Sequence, residues 1–236
     1  MLPFSKELTV DIHDVDFNGV ARASSLMKYI QSAAQTQLTE NGMSYDVLKS
    51  RNRAFILSKI RMEFSETVRA YEPITAITFP CTSRGYSFIR CYKLKRDGRT
   101  IGRAVSAWAL VNTENRSLVR INDFDLGLET YEPLDLPLNR IVIPQGIKEV
   151  GEYKVLYSDT DQNGHMNNTR YPDMYSTFLP LENKRIESAT ISFMNEAPMG
   201  DRLTVFCIES DGLYYFRTVR SDGKTNTEAE IKLCDI

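Results

Sequence analysis

The chain of 236 residues has only two histidines, and its four cysteines, Cys81, Cys91, Cys207 and Cys234, show no Cys-x-x-Cys spacing. Structural zinc sites are built from closely spaced Cys and His ligands, so that class is excluded. The cysteines read instead as reduced core residues of a cytoplasmic protein, not as a disulfide framework. A strong charge of one sign is missing too. The net charge of −2 and pI near 5.8 exclude a surface that reads nucleic-acid phosphates by bulk positive potential. No apolar run reaches the roughly 18 residues of a membrane span. The opening Met-Leu-Pro-Phe-Ser-Lys-Glu has neither the basic-then-apolar order of a signal peptide nor the Arg/Ser-rich character of a transit leader. Low-complexity tracts are absent. These absences leave a soluble, unprocessed globular chain whose 42% hydrophobic and 10% aromatic content can fill one large core or two small ones.

One of the two histidines stands in the run Asp159-Thr-Asp161-Gln-Asn163-Gly-His165-Met-Asn167-Asn168-Thr-Arg-Tyr171. It places a carboxylate, an amide and an imidazole at alternate positions ahead of a predicted helix. In an extended segment residues two apart point the same way, so Asp161, Asn163 and His165 are expected to converge on one small molecule. An imidazole with a carboxylate nearby is a proton carrier near neutral pH. A weaker copy lies near the N-terminus, where Asp14, Asp16, Asn18 and Gly19 answer Asp159, Asp161, Asn163 and Gly164, each 145 residues apart. Val20 stands where the second copy has His165. Self-similarity at so long a period suits two tandem copies of one domain, of which the second alone keeps the imidazole.

The order of elements repeats as well. Ser24 and Ser25 are expected to cap a helix carrying Leu26, Ile30, Ala33, Ala34 and Leu38 on one face, ended by Asn41-Gly42. Strand patterns follow at 74–81, 86–94 and 101–111, with an Asp97-Gly98 hairpin between the last two. In the second half Tyr171, Met174, Tyr175, Phe178 and Leu179 have helical spacing before Pro180. Strands are expected at 186–196, 203–209, 213–219 and 227–233, with turns at Asp211-Gly212 and Asp222-Gly223. The segment 112–146, rich in Leu-Pro pairs, reads as a linker with packed stretches. The resulting expectation is an α+β tandem double hotdog, each half a long helix wrapped by an antiparallel sheet. Its parts are a first hotdog over 1–125, a linker over 126–146 and a second hotdog over 147–236.

These residues resemble the acyl-acyl carrier protein (acyl-ACP) thioesterases, and the resemblance covers nearly the whole chain. The family's second domain carries an Asp-x-Asn-x-His-x-Asn-Asn run before a tyrosine-bearing helix, matched here by Asp161, Asn163, His165, Asn167, Asn168 and Tyr171. A family strand ending in a glutamate is similar to Ile191-Ser-Phe-Met-Asn-Glu196-Ala. Plant members commonly have cysteine after that glutamate, whereas this chain has Ala197, so a cysteine nucleophile is not expected. The resemblance points to a bacterial-type member and implies the catalytic set Asp161, Asn163, His165 and Glu196, with no cofactor and no metal.

Thioester hydrolysis needs an activated water, a donor to the developing oxyanion and an exit for the thiolate. Glu196 is expected as the base, with Asp161 as rival for that role. Asn163 and His165 would hold water and thioester, Asp161 would orient or charge the imidazole, and N–H groups of the following helix would meet the oxyanion. The first half would host the acyl chain as the silent copy. The implied reaction releases free fatty acid and holo-ACP from acyl-ACP. Two alternatives stay open, an acyl-CoA thioesterase of the same fold and a non-catalytic acyl-thioester sensor. The partners implied are acyl carrier protein and a fatty acyl chain, with no nucleic acid and no membrane span, and a homodimer is left open. An acidic carrier protein would want a basic patch, for which Arg170, Lys184 and Arg185 are candidates.

Overall fold

The computed structural model describes residues 3–83 and 85–236. The first half runs β1 (Phe4–Thr9), α1 (Ala23–Glu40), α2 (Tyr45–Ser50), β2 (Arg53–Phe64), β3 (Pro73–Pro80), β4 (Ser87–Arg96), β5 (Arg99–Asn112) and the short β6 (Leu118–Val119). The second runs β7 (Lys148–Lys154), α3 (Tyr171–Ser176), β8 (Lys184–Phe193), β9 (Arg202–Ser210), β10 (Leu213–Val219) and β11 (Thr225–Asp235). Among the described residues the strands form one antiparallel sheet in the order β1-β3-β4-β5-β2-β8-β11-β10-β9-β7, with β6 paired to β5. The order is a palindrome about the β2–β8 seam.

The seam itself has two-fold character. Arg61 pairs with Thr190 at its centre, while Lys59 pairs with Ser192 and Glu63 with Ser188 on either side. β2 was not expected from the sequence. Its alternation of Ile60, Met62 and Phe64 with charged residues is offset by a bulge between Leu57 and Lys59, where Ser58 Oγ donates to the Ala107 carbonyl at 2.8 Å, so the period-2 pattern breaks mid-strand. The expected hairpins are present, with Asp97-Gly98 and Asp211-Gly212 both at positive φ, as a tight two-residue turn requires.

The long helix α1 buries Leu26, Met27, Ile30, Ala33 and Ala34 against the sheet. Removing one such large side chain typically costs about 2–5 kcal/mol. Its N-cap is Arg22, not Ser24 or Ser25. Those hydroxyls lie within the first turn and donate elsewhere, Ser24 to Asp173 Oδ1 at 2.5 Å and Ser25 to Asp14 Oδ1 at 3.2 Å. The second half corrects the expectation of two long helices. α3 has six residues preceded by a 3-10 turn over Asn168–Arg170, and the chain then turns through 177–179 before Pro180.

After β6 the chain first borders the helical side of the first half, where Asn41 Nδ2 donates to the Leu126 carbonyl at 2.6 Å, and its residues 131–139 then cross the outer face of the sheet. Leu136 packs with Phe79, Cys81, Cys91 and Val105 in a small second core, and Lys59 and Arg61 donate to the carbonyls of Asn139 and Pro137. No helix among the described residues is long and apolar enough to cross a membrane.

Candidate active site

The run from Asp161 to His165 is a tight turn, not an extended segment, so the alternation argument does not describe its geometry. Gly164 N–H donates to the Asp161 carbonyl at 3.0 Å and Asp161 N–H to the His165 carbonyl at 2.9 Å. Gly164 takes φ +75° to close it. The Asp161 carboxylate accepts from Asn163 N–H at 2.8 Å and from Asn163 Nδ2 at 3.4 Å. It therefore shapes the turn and aims the Asn163 amide, and Asp161 is a positioning group in this geometry. The imidazole has a different carboxylate for company, since His165 Nδ1 lies 3.6 Å from Glu196 Oε2.

Two backbone links fix that pairing. His165 bridges Pro198, and Met166 N–H donates to the Ala197 carbonyl at 2.8 Å, so the turn is stitched to the segment leaving β8. Behind it the amide of Asn226, fully buried, donates to the Asn195 carbonyl at 2.5 Å and to the Tyr171 hydroxyl at 3.0 Å. Burial holds that phenol up at about 12, opposed by the Asn226 hydrogen bond. A buried network with its members satisfied makes a stiff mount for the residue that follows Asn195.

Asn163 also faces the other half. Its Oδ1 accepts from the Tyr45 hydroxyl of α2 at 2.9 Å, and with Asn167 and Thr169 it lines one part of a cavity of about 790 Å³. Most of the rest belongs to the first half, including Leu38, Leu48, Phe55, Phe88 and Trp108, and the segment that follows adds Leu126, Leu128 and Thr130. His165, Glu196 and Asp161 stand beside this cavity and do not line it. His165 is half-buried and Glu196 exposed, their side chains 34% and 58% accessible.

The first copy repeats the turn and lacks the pair. Asp16 accepts from Asn18 N–H and Val20 N–H at 2.9 and 3.2 Å, and Val20 bridges Arg69 as His165 bridges Pro198. Ala21 N–H donates to the Val68 carbonyl at 2.8 Å, matching Met166 and Ala197, so Thr67 occupies the place of Glu196. Asn18 spends its amide on the carbonyls of Leu181 and Lys184 at 2.7 and 3.3 Å and accepts from Asn183 N–H at 3.3 Å.

Two sequence expectations change here. Of the N–H groups ahead of α3, Thr169 N–H is taken by Asn167 Oδ1 at 2.9 Å and Arg170 N–H by the Asn167 carbonyl, which removes these two as oxyanion donors. The suggested basic patch is partly internal. Arg170 pairs with the buried Asp159 and with Asp173, and Arg185 donates to the Phe64 carbonyl at 2.9 Å. Among the described residues no cluster of three or more His, Cys, Asp or Glu side chains is placed to hold a metal.

The family model for the acyl-ACP thioesterase N-terminal domain matches residues 2–126, and that for the acyl-ACP thioesterase C-terminal domain matches residues 144–234. The chain belongs to the acyl-ACP thioesterase family. A relative, the chloroplastic oleoyl-acyl carrier protein thioesterase 2 of Arabidopsis thaliana, is 20% identical over 84% of this chain, which spans 60% of that protein's length. The double-hotdog fold is shared with a solved acyl-ACP thioesterase from Bacteroides thetaiotaomicron (TM-score 0.85, 24% identity, 98% of this chain and 97% of that one). It is shared too with the 12:0-ACP thioesterase from Umbellularia californica (TM-score 0.85, 14% identity, 99% and 97%). Within this family member Ala197, the residue after Glu196, is fully buried and carries no thiol. Cys207 is pushed up to about 11 by burial. Cys81, which borders the cavity, is raised by the Cys91 sulfur 3.2 Å away and by burial.

Proposed function

We propose that this protein hydrolyses fatty acyl-ACP, releasing free fatty acid and holo-ACP, with catalysis in the second half and the acyl chain in the first. The observation that carries the reading is the His165–Glu196 pair at 3.6 Å, set beside Asn163 where that residue enters the cavity. Glu196 takes a proton from water as the water oxygen attacks the thioester carbonyl. His165 orients the water and passes the proton onward to the departing thiolate. Asn163 Nδ2 has one hydrogen directed to Asp161 and a second for the carbonyl oxygen as charge builds on it. Its amide is already held at both ends, by Asp161 and Tyr45, so little reorganisation is needed in the transition state.

The division of labour has a chemical basis. The first copy offers Val20 and Thr67 at the positions of the imidazole and carboxylate, neither of which can move a proton near neutral pH. The first half has the cavity, and about 790 Å³ falls within the range of ligand sites. Four free cysteines suit a reducing compartment, the cytoplasm. A hydrolysis panel of acyl-ACP and acyl-CoA thioesters of matched chains tests the reading. Faster turnover of the carrier-protein series is expected, preference for CoA would make this an acyl-CoA thioesterase, and tight binding of both without turnover would make it a sensor.

A further inference from the structure

The cavity of the first half is not lined as a plain hydrocarbon tunnel would be. Arg90 of β4 borders it and is only 7% exposed. Its Nη1 donates to Gln37 Oε1 of α1 at 2.6 Å and to Thr78 Oγ1 of β3 at 3.0 Å, which pins the guanidinium on the inner face of the sheet. Both acceptors are neutral. The charged or ionisable groups that act on it are Tyr92, Cys81 and Cys91, and no ion pair to Arg90 is found among the described residues. Burial accordingly pulls its proton affinity below the ordinary arginine value. A second lining residue, Gln31 of α1, has a buried amide nitrogen with no acceptor among the described residues.

A buried cation without a carboxylate is costly, and unsatisfied donors deep in a protein call for a partner. An unsubstituted acyl chain filling this cavity would displace water from the guanidinium and return nothing to it. A chain bearing an oxygen would accept from the Nε and Nη2 donors that Gln37 and Thr78 leave unused, in a charge-assisted bond. We propose that the cavity selects acyl chains carrying an oxygen function, a hydroxyl, keto or carboxylate group, with Arg90 as the residue that reads it. This rests on the hydrolytic reading above in making the ligand an acyl thioester. The recognition itself is a property of the cavity alone.

The test therefore uses binding as well as turnover. Trp108 is the chain's single tryptophan and lines the same cavity, so its emission reports occupancy by acyl-pantetheine analogues in which a non-hydrolysable thioether replaces the thioester and no head carboxylate is present. Analogues with plain, hydroxy-, keto- and carboxy-bearing chains of one length are titrated against the whole protein. The corresponding thioesters are compared by kcat/KM. In an all-apolar tunnel an added oxygen weakens binding, so the sign of the preference is decisive. At least one oxygenated chain is expected to bind about tenfold to a hundredfold more tightly than the plain one, the discrimination a hydrogen bond to a charged group gives. Arg90→Met should erase that preference and improve binding of the plain chain, and Gln31→Leu should reduce it in part.

A wild-type protein that binds the plain chain as well or better overturns the proposal without recourse to any variant. So does a preference that survives Arg90→Met. If no thioester of either kind is turned over while the binding preference holds, the hydrolytic reading fails and the assignment of Arg90 stands.

Discussion

Replacing Glu196 with glutamine separates chemistry from electrostatics at the proposed site. The change keeps the side chain's size and removes its proton-accepting oxygen. If Glu196 acted only by its charge on the neighbouring imidazole, the loss would be small. At 3.6 Å two unit charges in a water-like medium interact by about 1.2 kcal/mol, and measured exposed pairs give roughly 0.2–1 kcal/mol. With Glu196 58% accessible that limit applies, and turnover would fall by no more than roughly tenfold. Loss of a general base costs about 10²–10⁴. A fall of two or more orders of magnitude in kcat, with KM little changed, is the expected result in a steady-state assay on acyl-ACP. Folding is not at issue, because the backbone around Glu196 is held by Met194 and Asn195 N–H groups donating to the Asn226 carbonyl, so the melting temperature should stay near wild type. A kcat within tenfold of wild type would refute the assignment of the base.

The turn offers a complementary pair of variants. Asp161→Asn keeps an acceptor for Asn163 N–H and is expected to stay within about tenfold of wild-type turnover, whereas Asp161→Ala lets the Asn163 amide swing and should cost about a hundredfold, the scale of an ångström's misplacement; an inactive Asp161→Asn enzyme would make Asp161 the base. Asp16→Ala, in the copy without an imidazole, should leave most turnover intact, and comparable losses from both copies in folded protein would overturn the assignment of the silent half. Replacing all four cysteines should lower stability through lost packing and leave kcat within a few-fold, so a folded variant without turnover would contradict a water-based mechanism. Asp201 supplies a pH test. Burial raises its carboxyl, but hydrogen bonds from Ser221, Arg202 N–H and Arg220 outweigh this and hold it below the usual 3.8, so its contribution is whole above that value and lost as pH falls below it. Asp201→Asn should lower the melting temperature near neutral pH and flatten its decline in acid, and an unchanged acid limb would speak against the assignment.

Much of this was written locally in the sequence and some was not. The Gly-marked hairpins depend on residues close in the chain and fold where the pattern places them, and the duplication of the Asp-Asn-Gly run was equally plain, although its alternation pointed to an extended segment where the chain makes a tight turn. The β2 strand escaped because its bulge moves the apolar residues of one face from odd to even positions midway, Leu57 before it and Ile60, Met62 and Phe64 after it. The shortness of α3 escaped because helical spacing continues through Phe178 and Leu179, whose burial is met by a turn as well as by a helix. The pairing of His165 with Glu196 was out of reach of spacing arguments altogether. Nothing in the turn indicates that the segment leaving β8 lies across it, and family resemblance alone singled that glutamate out. Tyr45 was missed for the same reason, since its hydroxyl reaches Asn163 across the interface of the halves. The signal for Arg90 was present as one of two charges, with Lys93, within the strand pattern of 86–94, but charged residues in strands usually face solvent.

The two copies of the turn are clasped to the opposite half in corresponding ways, and the difference between the clasps explains how a symmetric framework came to hold one site. Asn18 reaches the segment after α3 and Asn163 reaches α2, the segment after α1. In the first clasp the amide is saturated by backbone at both ends, so it can only bind the halves together. In the second a tyrosine hydroxyl replaces the backbone, because the first half has kept a long α1 and added α2 where the second half has a six-residue α3. The longer helical segment lines the cavity through Gln31, Leu38 and Leu48, and the Asn163 amide lies at the same cavity with a hydrogen to spare. The same inequality thus makes room for a chain in one half and frees a donor in the other. On the proposed mechanism the proton-moving residues are then His165 and Glu196, whereas the first copy has Val20 and Thr67 at those places and can move no proton.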